Sequence, residues 1–132
     1  MSREISSAQK RVIYAAPGVA DSTADALLEF SRTNGGDNLK VFLDPEIGDI
    51  CRFGLGELKG MMRIFRAGLQ VRKVKGLRIG LLVVDDRAWI YAPTPKFIEE
   101  EPTESVPNAV IVTTEQALAI VEALLCEAPR GR

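Results

Sequence analysis

The stretch LRIGLLVVDDRAWIY, residues 77–91, decides how this chain folds. Leu77 to Val84 is an apolar run broken only by Arg78 and Gly80, and it reads as the strongest strand in the protein. Asp85-Asp86-Arg87 has the composition of a tight turn. Ala88-Trp89-Ile90-Tyr91 then returns as the second arm of a hairpin. Hairpin arms run antiparallel, so the sheet that receives them has an antiparallel portion.

Working upstream, Val12-Ile13-Tyr14-Ala15-Ala16 is a short buried strand ended by Pro17-Gly18. Asp21 and Ser22 offer caps for a helix through Ala26, Leu27, Leu28 and Phe30, which Asn34-Gly35-Gly36 stops. Leu39 to Leu43 is a second strand, ended by Asp44-Pro45. Residues 47–55 hold Gly48 and Gly54 and read mostly as loop. Glu57 to Ala67 is a helix with Leu58, Met61, Met62, Ile64 and Phe65 on one face, and Gly68 follows its end. Leu69 to Val74 alternates as a third strand. Downstream, Pro93 and Pro95 end the hairpin. Phe97 to Val106 is acidic and proline-bearing, hence an exposed loop. Ala109 to Val112 is a last strand. Thr113 or Thr114 caps a helix through Leu118, Ile120, Val121, Leu124 and Leu125.

Alternating strands and helices predict an α/β fold: one domain over residues 11–127, with a mixed but largely parallel sheet flanked by helices. Residues 1–10 read as a polar segment outside that domain, and Ala128 to Arg132 as a frayed tail or the cut end of a longer protein. A flavodoxin-like sheet has a similar alternation, but the hairpin opposes it.

Composition narrows the function. The chain has 132 residues, 46% apolar and 27% charged, enough for one real core. Its longest apolar run is far short of the ~20 residues that span a bilayer. The polar N-terminus lacks the apolar core of a signal peptide, so the default compartment is the cytoplasm. No histidine occurs anywhere, which removes the imidazole base or nucleophile from every acyl- or phosphoryl-transfer scheme. Cys51 and Cys126 match no metal-ligand spacing and read as reduced thiols, the first in a loop. Neither a phosphate-binding G-K-[ST] loop nor a G-x-S-x-G elbow is present. No cofactor and no catalytic residue are expected.

In three stretches the layout resembles the phospholipase D-like superfamily. Tyr14-Ala15-Ala16-Pro17-Gly18 is similar to that family's first strand and turn. Phe65-Arg66-Ala67-Gly68-Leu69-Gln70-Val71-Arg72 is similar to its second helix running into a strand. Leu81-Leu82-Val83-Val84-Asp85 followed by Asp86-Arg87 resembles the strand that carries the family's H-x-K-x4-D motif. With Asp85 as the motif aspartate, the histidine position falls on Arg78 and the lysine position on Gly80. The downstream G-S-x-N falls on Ala92-Pro93-Thr94-Pro95. Only the aspartate survives. Arginine stays protonated and cannot replace the nucleophile. The resemblance therefore implies a degenerate, catalytically inactive domain that acts in binding or assembly, as the regulatory part of a longer protein for instance. Active members pair two motif copies across a two-fold axis, which implies a homodimer with the 77–91 region near the axis.

Charge supplies the other candidates. Lys59, Arg63, Arg66, Arg72, Lys73, Lys75 and Arg78 lie between Leu58 and Val84 with no acidic residue among them. Arg72, Lys73, Lys75 and Arg78 are the candidate contacts for a phosphate-bearing ligand or nucleic acid. The plainer reading makes these a solvated face, with Arg78 paired to Asp85, Asp86 or a partner's glutamate. Trp89 and Tyr91 are expected in the core or a dimer contact. A third function, metal-dependent phosphate hydrolysis, would use Asp85 and Asp86 with help from Asp44 or Asp49. Asp-Asp-Arg is equally good turn chemistry, so no metal site is expected.

Overall fold

The computed structural model describes residues 2–93 and 109–127. Its elements are α1 (Ser2–Ser6), β1 (Val12–Ala15), α2 (Asp21–Asn34), β2 (Leu39–Leu43), α3 (Ile47–Arg52) and α4 (Leu58–Arg66). They continue with β3 (Val71–Lys73), β4 (Gly80–Val84), β5 (Arg87–Tyr91), β6 (Ala109–Val112) and α5 (Thr114–Glu127). One six-stranded sheet has the order β3-β2-β1-β4-β5-β6. The architecture is thus α/β, a mixed sheet flanked by helices.

Strand direction divides the sheet. β3, β2 and β1 are parallel neighbours. β4 runs antiparallel to β1, and β4, β5 and β6 form an antiparallel meander. The prediction of a largely parallel sheet is corrected here. Helical crossovers occur only in the first half, and the 80–91 hairpin reverses direction thereafter. An all-parallel flavodoxin-like sheet is excluded by the β1–β4 pairing.

β1 is buried on both faces at every residue, as expected of a central strand. On one face Val12, Tyr14, Val41, Leu43, Leu82, Val84, Trp89 and Tyr91 pack with Leu27, Phe30, Ile50, Met61 and Ile64 from α2, α3 and α4. On the other, Ile13, Ala15, Phe42, Leu81, Val83 and Ala88 meet Ala117, Val121 and Leu124 of α5, with Val74 and Leu77.

Several boundaries differ from the sequence reading. The polar segment of the sequence reading contains α1, which places Ile5, with no exposed surface, in the main core. A single isoleucine in five helical residues has no periodicity to announce it. Residues 47–52 form α3 rather than a loop, with Ile50 buried and Cys51 half-buried on it. Burial of Ile50 overrides the low helix propensity of Gly48. α2 begins at Asp21 with Ala20 at its cap position, so neither Asp21 nor Ser22 caps it. The Asp21 N–H instead donates to the Glu57 carboxylate, 2.9 Å away, before α4. The third strand is only Val71–Lys73, and β4 starts at Gly80. The hairpin turn is Asp85-Asp86, with Arg87 already in β5.

Other features match the reading. Gly68 follows α4 with φ +80°, a conformation that suits glycine. Thr113 caps α5 reciprocally: its hydroxyl accepts from the Gln116 N–H (3.1 Å), and its own N–H donates to the Gln116 side chain (3.0 Å). Trp89 and Tyr91 belong to the core. The acidic segment 97–106, the tail 128–132, Thr94-Pro95 and the Cys126 side chain lie outside the described residues.

The two sheet edges differ. β3 carries Arg72 and Lys73, both exposed. β6 carries Val110 and Ile111, each more than 60% exposed, and no charge.

Candidate functional site

Three positions singled out from the sequence, 78, 80 and 85, each have a definite structural occupation. Gly80 lies directly opposite Tyr91 in the β4–β5 register. The Tyr91 ring covers the space a side chain at 80 would need. A Cβ there would lie 2.5 Å from Tyr91 Cε1 and closer still to Cζ and Cε2. The Tyr91 hydroxyl donates to Tyr14, and the Tyr14 hydroxyl donates to the Gly18 carbonyl at 2.7 Å. Burial pushes both phenols well above their ordinary pKa, so the pair stays neutral. The space beside Gly80 is therefore filled by an aromatic ring.

Arg78 precedes β4 rather than lying on it. Its guanidinium turns to Asp44, at the end of β2, with Nη1 2.8 Å from Oδ2. The same nitrogen donates to the Leu77 carbonyl at 2.8 Å. Asp44 is only 1% exposed in its side chain, whereas Arg78 is 48% exposed. Asp44 also accepts from the N–H of Glu46 (2.9 Å) and of Gly76 (2.9 Å). Burial opposes its charge, but the Glu46 N–H, Arg78 and the Gly76 N–H together hold its pKa below the ordinary carboxylate range. The expected partners of Arg78, Asp85 and Asp86, are thus corrected to Asp44. The reason is topological: parallel pairing of β1, β2 and β3 brings the end of β2 beside the turn that leaves β3.

Asp85 serves as an anchor. Its carboxylate accepts from the N–H groups of Gln9, Lys10 and Arg11 at 2.7 to 3.2 Å. Its own N–H donates to the Arg11 carbonyl, and Arg11 Nε returns a bond to the Asp85 carbonyl. Asp85 is the one non-glycine residue with positive φ among the described residues, at +53°. Slight burial raises its pKa, but the N–H groups of Lys10, Arg11 and Gln9 outweigh this and lower it. Arg87 adds bonds to Glu4 (2.9 Å) and Ser7 (3.3 Å) and lies over the Trp89 ring. Asp49 pairs with Arg52. Asp44, Asp49, Asp85 and Asp86 are not gathered, and the described residues contain no acidic or thiol cluster able to hold a metal.

Of the basic residues, Arg63 bonds Asp25 and ties α4 to α2. Lys75 stands 4.0 Å from Glu46. Arg72 and Lys73 are exposed and make no ion pair with the described residues. The register puts Arg72 opposite Phe42 and Lys73 opposite Leu43, on opposite faces of the sheet. Lys40, exposed on β2, shares the Arg72 face. A cleft of about 300 Å³ opens at the other end of β2 and β3, lined by Ser31, Asp37, Leu39, Gly68 and Gln70 among others. Sequence reasoning missed Lys40, the lone exposed residue in an apolar strand, and the Tyr14–Tyr91 pair. Only three-dimensional register reveals the latter.

The arrangement is a mixed α/β domain with positions 78, 80 and 85 engaged internally and one basic sheet edge open among the described residues. No family model matches the chain, and no curated protein matches it. Among solved structures, it is similar to TrmBL2, an archaeal chromatin protein whose structure is described as showing a novel mode of DNA binding. That likeness has a TM-score of 0.49 at 13% identity and covers 98% of this chain. The chain spans 48% of the length of that solved one. A likeness at this level carries no inference about function. No helix among the described residues is long and apolar enough to cross a membrane.

Proposed function

We propose that this is a catalytically silent, phospholipase D-like domain that acts in binding or in assembly as a homodimer. The observation that carries the reading is the Tyr91 ring seated over Gly80. A site for phosphoryl transfer needs an open, charged pocket at that point, and an aromatic ring excludes both charge and substrate. The Arg78–Asp44 bond and the three N–H groups on Asp85 support it, since each occupies a group that substrate or metal would otherwise engage. β4 and β5 have both edges paired, so a partner subunit would meet this region at Arg78-Ile79 or Asp86-Arg87. A phosphate-bearing ligand or nucleic acid is the second reading, favoured by the open cations Arg72 and Lys73.

The test combines turnover of bis(p-nitrophenyl) phosphate, with and without Mg²⁺, and molar mass by light scattering. Expected are no hydrolysis above buffer and a dimer at micromolar concentration. Hydrolysis abolished by Asp85→Asn would overturn the silent reading and restore a metal-dependent phosphohydrolase. A monomer at all concentrations would remove assembly and leave binding.

A further inference from the structure

We infer that the outer edge of β3 is a track for the phosphodiester backbone of nucleic acid, held without regard to base sequence; this rests on the binding half of the reading above. β3 is a terminal strand with no neighbour among the described residues beyond it. Just past its end, the Val74 N–H donates to the Leu43 carbonyl at 2.9 Å. In a parallel ladder alternate residues bond the same neighbour. The Arg72 backbone therefore faces β2, and the N–H groups of Val71 and Lys73 point outward, about 6.6 Å apart at 3.3 Å per residue. Arg72 with Lys40 flanks this edge on one face of the sheet, and Lys73 on the other. A chain of phosphates laid along the edge would meet cations on both sides and donors beneath.

Among the described residues, nearby acids leave that charge largely intact. Asp44 is engaged by Arg78, and Glu46 offsets only Lys75. Asp37 lies at the opposite end of the strand, in the cleft. An acidic peptide is the competing ligand, but it would bind by adding a strand. Three residues bearing Arg and Lys are a poor template for that, since short charged edges resist strand pairing. Phosphate recognition needs only cations and donors. Among the described residues no exposed aromatic belongs to β3 or to its neighbour β2 for base stacking, hence no preference for base identity or for single strands.

The test is fluorescence anisotropy with labelled 20-nucleotide single-stranded and duplex DNA, each titrated at several salt concentrations. Wild type is expected to bind both, with Kd on the order of 1 to 100 μM at low salt. The slope of log K against log salt should be roughly −2 to −3. Arg72→Glu/Lys73→Glu should weaken binding roughly tenfold or more and flatten the slope by about 2. Its thermal midpoint should match wild type, because both side chains are exposed. Absence of binding near 50 mM salt overturns the inference, as does affinity unchanged in the double variant. Tighter binding of polyglutamate than of DNA at matched charge overturns it in favour of an acidic peptide. Any of these failures leaves the silent-domain reading standing. Cleavage of the oligonucleotide by wild type would sink that reading while leaving the track intact.

Discussion

Replacing Gly80 by alanine tests directly whether the Tyr91 ring closes the space beside it. The added Cβ would sit 2.5 Å from Tyr91 Cε1, so the ring must shift. Overpacking of a core by one such group costs about 1–3 kcal/mol. A shifted ring also pulls the Tyr91 hydroxyl from Tyr14, and leaving a buried hydroxyl unsatisfied adds about 1–3 kcal/mol. Against this, alanine restricts the unfolded chain and returns about 0.4–1 kcal/mol. The first two effects win, for a net loss of roughly 1–5 kcal/mol. Urea unfolding of four proteins measures it: wild type, Gly80→Ala, Tyr91→Ala and the double variant. In the Tyr91→Ala background the same methyl should cost under about 1 kcal/mol, since it fills part of the vacated space. A Gly80→Ala cost below about 0.5 kcal/mol, or an equal cost in both backgrounds, would refute the reasoning.

Four further outcomes follow from the charged groups and the N-terminus. Arg78→Glu leaves Asp44 buried beside a like charge, but Arg78 is half exposed and Asp44 keeps two N–H donors, so it should destabilise by about 1–3 kcal/mol in urea, independent of any dimer. Asp85→Asn weakens acceptance from three N–H groups, so it should cost about 1.5–3 kcal/mol and speed hydrogen exchange at Gln9, Lys10 and Arg11. Both carboxylates have folded pKa values below their unfolded ones. Their stabilisation is therefore complete above the unfolded value, near 3.9, and is lost as pH falls through the folded values. An acid titration followed by circular dichroism should show wild type losing stability below about pH 4–5, with a shallower fall for Asp85→Asn. Ile5→Ala should cost about 2–5 kcal/mol by chemical denaturation, which no segment lying outside the fold would do.

Much of the fold was legible because its signals are local. The 77–91 hairpin, the Thr113 cap and Gly68 are readable from neighbours in sequence. Ile5, α3 and the Glu57 bond to Asp21 were not, because each depends on a partner far along the chain. The candidate site divides the same way. Arg72 and Lys73 stood out as charges on a strand and are exposed as such. The partner of Arg78 was misread, since Asp44 is 34 residues away and reaches it only through the parallel β2–β3 pairing. Asp85 was recognised as a position, but its role as an anchor for residues 9–11 has no sequence signature.

The Asp85 anchor has a consequence for the order of folding. Residues 9–11 are gripped by a carboxylate 74 to 76 positions later. During synthesis residues 2–11 emerge well before the hairpin turn, and until it has been made α1 has the neighbouring α2 to pack against but not the Asp85 carboxylate. Closing so long a loop is slow and entropically unfavourable before other contacts exist. The grip on residues 9–11 is therefore a late event, which fixes to the sheet a segment that α2 already holds through Ile5.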